Sequence, residues 1–287
     1  MAVDYAALKK GGFMRQKQKD CFSMRLHTVG GQLTAKQLKK VYEIAEKYGK
    51  GYIHLTARQG VEIPFIHLQD IDAVRAELRE GGIEQGACGP RVRTVTACQG
   101  SAICPSGLIE TQKLAEKLDA HYFRRDLPHK FKISITGCHN NCLKTEENDL
   151  GIKGAMQPFW GKDACTYCGV CQAVCPEKCI TVDKEKKTVH ISDDQCSKCG
   201  RCVKSCPTGA WSGKNGYQVS FGGTFGNNFR FGKPLIPMVF TEEKIIEVAD
   251  AVIDYYQENG RPSERFAKML ERIGTDGLQA KLQEVIK

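Results

Sequence analysis

No stretch of this chain is apolar for long enough to cross a membrane. The opening residues, M-A-V-D-Y-A-A-L-K-K-G-G-F-M-R-Q-K-Q-K-D, hold no apolar core and no cleavage pattern, so a secretory leader is not expected and a cytoplasmic location is. Aromatic residues are sparse, 8% of the chain, and no lysine or arginine run interleaves with them, which argues against a nucleic-acid groove. A nucleotide-binding fingerprint is also missing: the glycines of Gly222–Phe229 do not stand between a strand and a helix. What remains is a soluble, globular composition, 41% hydrophobic and 26% charged over 287 residues, enough for one large domain or a few small ones. The formal charge is 42 − 33 = +9. Residues 163–210 hold seven basic and six acidic residues, so nearly all of the surplus lies elsewhere. A polyanionic cofactor or an acidic protein partner accounts for it.

Cysteine is the residue in excess, at fifteen. Without an export signal, clustered thiols indicate metal or redox chemistry rather than disulfides. Twelve of the fifteen fall into tight groups, and Cys21, Cys88 and Cys179 stand apart as ordinary small buried side chains.

Along the chain, Phe22–Val29 alternates like a half-buried strand. Thr34 and Gln37 form a capping box for a helix carrying Leu38, Val41, Tyr42 and Ala45, ended by Gly49. Strands are expected at Tyr52–Ala57 and Val61–Ile66, and a helix capped by Asp70 carries Ile71, Val74 and Leu78. The order β-α-β-β-α is that of a ferredoxin-like half-domain. Strands follow at Val92–Thr96 and Phe131–Thr136, with a helix from about Pro105 to Leu118 between them. Tyr217–Phe221 reads as a further strand, and Thr241 opens a helix with Ile245, Ala249, Val252 and Tyr256 on one face. The remaining tail suggests packing or an interface.

Residues 165–176 read C-T-Y-C-G-V-C-Q-A-V-C-P, and residues 196–207 read C-S-K-C-G-R-C-V-K-S-C-P. Both are C-x2-C-x2-C-x3-C-P, the bacterial two-cluster pattern in which the fourth cysteine of each run serves the other cluster. One [4Fe-4S] cluster is expected on Cys165, Cys168, Cys171 and Cys206, the other on Cys196, Cys199, Cys202 and Cys175. Zinc prefers paired C-x2-C groups around one ion, and two full runs with trailing prolines favour clusters. Cys98 and Cys104 lie outside these runs, and the free pair at ligand spacing is Cys138 and Cys142. C-x5-C, 33 residues, then C-x3-C gives four thiolates from two strand-end loops, enough for a third [4Fe-4S] cluster.

This C-x5-C…C-x3-C pattern resembles the cluster motif of the siroheme-containing sulfite and nitrite reductases. The resemblance implies that Cys142 bridges the cluster to the siroheme iron. L-T-A-R-Q-G (Leu55–Gly60), R-V-R-T-V-T-A-C (Arg91–Cys98) and L-P-H-K-F-K (Leu127–Lys132) resemble the family's substrate-face segments. They point to Arg58, Arg93, Lys130 and Lys132, with Arg91 a further candidate beside the cofactor. Taken singly, each is an ordinary surface charge. Together and in this order around the cysteine motif, they read as an oxyanion site. His139, Asn140 and Asn141 read as shaping the cysteine loop, with no ligand role for His139. Y-Q-V-S-F-G-G (Tyr217–Gly223) resembles the closing strand and turn, so the likeness spans about residues 20–235.

The implied fold is α+β. It comprises a ferredoxin-like half-domain (1–86), a siroheme and [4Fe-4S] domain in two parts (87–162 and 211–240), an inserted bacterial-type 2[4Fe-4S] ferredoxin domain (163–210) and C-terminal helices (241–287). The implied cofactors are siroheme and three [4Fe-4S] clusters. The implied activity is six-electron reduction of sulfite to sulfide, with nitrite to ammonia on the same scaffold as a second reading. A non-catalytic electron-transfer subunit is a third. Electrons are expected from a ferredoxin or a flavin-bearing subunit. Larger members build one site from two repeats; with one copy here, the resemblance implies a homodimer or a sibling-subunit pair sharing sites.

Overall fold

In the computed structural model, which describes residues 3–287, two four-stranded sheets and one hairpin carry the chain. The first part runs α1 (Tyr5–Lys10), β1 (Phe13–Arg15), β2 (Cys21–Arg25), α2 (Ala35–Tyr48), β3 (His54–Leu55), β4 (Val61–His67) and α3 (Ile71–Glu80). Its sheet has the order β1-β2-β4-β3 and is antiparallel throughout. Val41, Ile44 and Ala45 of α2 and Ile71, Val74 and Leu78 of α3 close one core with Phe22, Met24, Ile63 and Ile66 of the strands. Each of these buried Val, Leu, Ile, Met and Phe side chains contributes about 1.5–3 kcal/mol. The α2 capping box is present: Thr34 Oγ1 accepts from the Gln37 N–H and Gln37 Oε1 accepts from the Thr34 N–H. Asp70 makes no side-chain cap to α3, which is entered instead through a 3-10 turn at Leu68–Asp70.

The second part runs β5 (Thr96–Ala97), α4 (Thr111–Tyr122), β6 (Ile133–Thr136), β7 (Leu150–Trp160), α5 (Val170–Ala173), β8 (Ile180–Asp183), β9 (Thr188–Ile191), α6 (Arg201–Lys204), β10 (Trp211–Phe221), α7 (Glu242–Asn259), α8 (Phe266–Ile273) and α9 (Asp276–Ile286). Its sheet order is β10-β7-β6-β5. The pairs β5/β6 and β6/β7 are parallel, and β7/β10 is antiparallel from Leu150↔Phe221 to Trp160↔Trp211. Residues 161–210 therefore leave and re-enter at paired positions, and the β8–β9 hairpin lies within that excursion. Ile133, Ile135, Leu150 and Ile152 pack with Leu114 and Leu118 of α4 and with Ile245, Val252 and Tyr256 of α7 in one core. No helix among the described residues is long and apolar enough to cross a membrane.

Several expected elements are shorter than their patterns. The strand from Phe22 ends at Arg25, because Val29–Gly31 turns as a 3-10 segment. The strand at Tyr52–Ala57 shrinks to His54–Leu55, since Thr56 N–H bonds the Gly60 carbonyl in a turn. The α4 helix starts at Thr111 rather than Pro105, because Leu108 N–H goes to the Gly137 carbonyl and the Ile109 carbonyl takes the Ser101 N–H. Sequence reasoning misses β7 altogether. Gly151, Gly154 and Pro158 break its pattern; Pro158 is tolerated because only Leu150–Lys153 has a partner on the β6 side.

Candidate functional site

Because β5 and β6 are parallel neighbours, with Thr96 opposite Ser134 and Ala97 opposite Ile135, both strands end at one edge. Each runs into a cysteine loop there: Cys98–Cys104 after β5, Cys138–Cys142 after Gly137. Gly137 N–H donates to Cys98 Sγ at 3.0 Å, and Cys98 N–H to the Ile135 carbonyl at 3.1 Å. A methyl group at Gly154 of β7 would collide with the Gly137 carbonyl, so glycine lets β7 back the loop. Burial pushes the Cys138 thiol up, and Cys104, Cys98 and Cys142 are near enough to push the same way. The four thiols are therefore neighbours, with Cys142 the exposed one. Asn141 shapes the loop: its Oδ1 accepts from Thr145 N–H at 2.9 Å and Oγ1 at 3.0 Å, and its Nδ2 donates to Glu146. His139 Nδ1 is buried and has no partner among the described residues.

Cys142 shares a cleft of about 370 Å³ with Arg58 and Lys132. Arg58 also lines an adjoining cleft of about 250 Å³ that reaches Arg25 and Arg93. Those two border a third, of about 400 Å³, with Lys9, Cys88, His129 and Lys130. The three form one basic groove. The Gln59 side chain fastens the Arg58 turn to β5, donating to the Ala97 carbonyl at 2.9 Å and accepting from the Ala97 N–H at 3.1 Å. Arg93 is fixed by the carbonyls of Ala87 at 2.8 Å and Gly89 at 3.0 Å. Arg25 is clamped by Glu62 and donates to Cys88 Sγ at 3.4 Å. Arg91 lies outside the groove, paired with Asp126 at 2.8 Å, and lines none of the three clefts. A larger cleft, about 450 Å³, between β7/β10 and residues 232–240 carries none of the expected residues.

The groove holds an excess of positive charge. Burial, then the charge of Arg93, pulls the Arg58 guanidinium down to about 10. Burial, then Arg58, pulls the Lys132 ammonium down to about 8. Arg93 and Lys130 move the same way, burial first in each. Arg58 Nη2 and Arg93 Nε are buried with no partner among the described residues. An unmet buried donor costs about 1–3 kcal/mol. An anionic group in the groove would relieve the repulsion among these cations, so the residues fit a polycarboxylate cofactor and a small oxyanion.

In the excursion, Cys175, Cys196, Cys199 and Cys202 line one small cavity, together with Cys179. Cys165 and Cys168 lie within electrostatic reach of Cys171, and Cys206 packs into the same apolar cluster as Cys171 and Cys202. Among the described residues no three such ligands close tightly enough to hold a single metal ion.

Residues 88–287 match the nitrite and sulphite reductase 4Fe-4S domain, and residues 14–81 match the nitrite/sulfite reductase ferredoxin-like half domain. The chain belongs to the nitrite and sulphite reductase family. Among its relatives is the Coenzyme F420-dependent sulfite reductase of Methanocaldococcus jannaschii, 33% identical over 90% of this chain. The chain spans 41% of that relative's length. A polypeptide of the anaerobic sulfite reductase of Salmonella typhimurium is 33% identical, covering 91% of this chain and 84% of its own. The crystal structure of dissimilatory sulfite reductase I has the same fold: TM-score 0.74 at 20% identity, over 92% of this chain and 69% of that one.

Within this reductase fold, sequence reasoning passes over five neighbours of the site. Arg25 had a weak signal, a polar position on an alternating strand. Cys88 and Cys179 read as ordinary buried thiols, and both are buried, but one touches Arg25 and the other lies 3.4 Å from Cys175. Asp149 immediately precedes the unrecognised strand, and Arg265 lies in the tail that suggested packing or an interface.

Proposed function

We propose that this chain is the catalytic polypeptide of a siroheme sulfite reductase, an oxidoreductase that carries sulfite to sulfide with six electrons. The observation that carries this reading is the single cleft shared by Cys142, Arg58 and Lys132. It joins the thiol expected to bridge cluster and cofactor to the cations expected to hold an oxyanion. Cys98, Cys104, Cys138 and Cys142 would hold the coupled [4Fe-4S] cluster, and residues 163–210 would form a ferredoxin domain holding two more. When bound, siroheme supplies an iron for the oxyanion and, through the coupled cluster, the electrons that reduce it.

The chain's own residues do the rest. Arg58 and Arg93 offer rigid, permanently charged forks to the anion's oxygens. Arg93 is already held by the Ala87 and Gly89 carbonyls before the anion arrives, so charge developing on oxygen meets an oriented guanidinium. Lys132, with its ammonium pulled down to about 8, can release a proton to a departing oxygen near neutral pH, which Arg58 cannot. Lys130 adds charge in the adjoining cleft beside Arg93. Electrons come from a ferredoxin or flavin-bearing partner.

The test is an absorption spectrum of protein purified without oxygen, recorded before and after sulfite is added to the reduced form. Siroheme bands that move with sulfite are expected. Broad iron-sulfur absorption alone, in fully matured protein, would leave an electron carrier and overturn the reading. Steady-state rates with sulfite and nitrite on the same preparation decide between the two oxyanions.

A further inference from the structure

The helical tail places a charge one carboxylate away from the segment that lines the groove, although Arg265 itself lines none of the three clefts. Arg265 is the N-cap residue of α8, and its Nη2 donates to both oxygens of Asp149, at 3.0 and 3.1 Å. The Asp149 side chain is 0% exposed, and its Oδ2 also accepts the backbone N–H of Lys132 at 2.9 Å. One buried carboxylate therefore joins the tail to the lysine that lines the Cys142 cleft. Arg265 Nε is buried and unpartnered among the described residues, as Arg58 Nη2 and Arg93 Nε are. Its charge is felt by Arg58, Arg93, Lys130 and Lys132 alike. A pair that served only to fasten α8 would be a poor choice here. A buried ion pair is often no more stabilising than apolar residues of the same volume, and this one adds a like charge to a repulsive groove.

We propose that Arg265, from outside the lining of the three clefts, adds its charge to the cations of the oxyanion groove, and that Asp149 is a positioning residue holding Arg265 and Lys132 in one unit. The inference rests on the sulfite reductase reading above. Lys132 is faced by Arg58 from the β3–β4 turn, by Lys130 from its own segment, by Cys142, Lys144 and Glu147 from the loop after β6, and by Asp149 and Arg265. Of the last two, Asp149 keeps a proton on Lys132 and Arg265 drives it off. An anion is held best while Lys132 is protonated, so sulfite affinity falls as pH rises through the lysine's pKa. Removing Arg265 moves that fall to higher pH, and removing Asp149 moves it to lower pH.

The experiment titrates sulfite into reduced, anaerobically purified holoenzyme, following the siroheme bands from about pH 6 to 10. The parent is compared with Arg265→Gln, Arg265→Lys and Asp149→Asn. Arg265→Gln is expected to weaken sulfite binding about tenfold near neutral pH and to shift the alkaline fall upward. Arg265→Lys keeps the fall near the parent's pH, and Asp149→Asn shifts it downward. A fall that stays at the parent's pH in both charge-removing variants, or moves the same way in both, overturns the proposal and leaves a fastening pair. Should Asp149→Asn fail to fold, the direction in Arg265→Gln decides alone. A parent whose bands do not respond to sulfite overturns the underlying reading, and the proposal with it.

Discussion

Arg58 sits at the shared edge of two clefts, one reaching Cys142 and the other Arg93. Its value to the site is shape as much as charge. A guanidinium presents its N–H groups in a fixed plane, whereas an ammonium is a compact, strongly hydrated point. One buried nitrogen, Nη2, lacks a protein partner, so the protein leaves part of the fork's hydrogen-bonding capacity unused. Arg58→Lys keeps the sign of the charge and loses that geometry. Turnover with sulfite is expected to fall about 10²-fold, the scale seen when one fixed donor to a developing oxyanion is lost. Steady-state kinetics with an artificial reductant measure this. A drop of no more than about twofold would mean that charge alone suffices, because aligned donors outperform unaligned ones only if alignment matters in the transition state.

At the scale of elements, the site depends on how the first sheet docks onto the second. The β3–β4 turn meets β5 through Gln59, whose amide mimics a neighbouring strand by pairing with both backbone groups of Ala97. Gln59→Leu leaves the Ala97 N–H unmet, and its carbonyl keeps only a long bond from Gln112 at 3.4 Å. A loss of about 1–3 kcal/mol in stability is expected from the denaturation midpoint, with weaker sulfite binding because Arg58 is the adjacent residue. An unchanged midpoint would show that the two sheets are joined elsewhere. This staple also shows what a sequence makes visible. The capping box of α2 and the cysteine loops after β5 and β6 are legible because their partners lie a few residues apart. Gln59 with Ala97, and Asp149 with Lys132 and Arg265, join residues far apart in the chain, so neither leaves a local pattern. β7 is hidden for the opposite reason: Gly154 weakens its strand signal because the Gly137 loop must come close.

For the molecule as a whole, the question is how many chains make one site. Arg25, Arg58, Arg93, Lys130 and Lys132 all belong to one chain and line the three clefts of one groove. The resemblance to larger, two-repeat reductases implied a site divided between two copies, cations from one and cluster from the other. Arg58, Lys132 and Cys142 of the same chain line one cleft, which sets a site built within one chain beside the divided one. The two arrangements predict different results on mixing an Arg58→Ala chain with a Cys142→Ala chain under conditions that allow the chains to exchange partners. In a divided site, each mixed dimer would regain one intact site, and roughly a quarter of the parent activity would return with random exchange. In a site built within one chain, every site keeps one lesion and the mixture stays as inactive as its components. The second outcome is expected here, measured as sulfite turnover with an artificial electron donor. Recovery on mixing would show that a partner's Cys142 loop closes over this chain's groove, and would move the functional unit from one polypeptide to two.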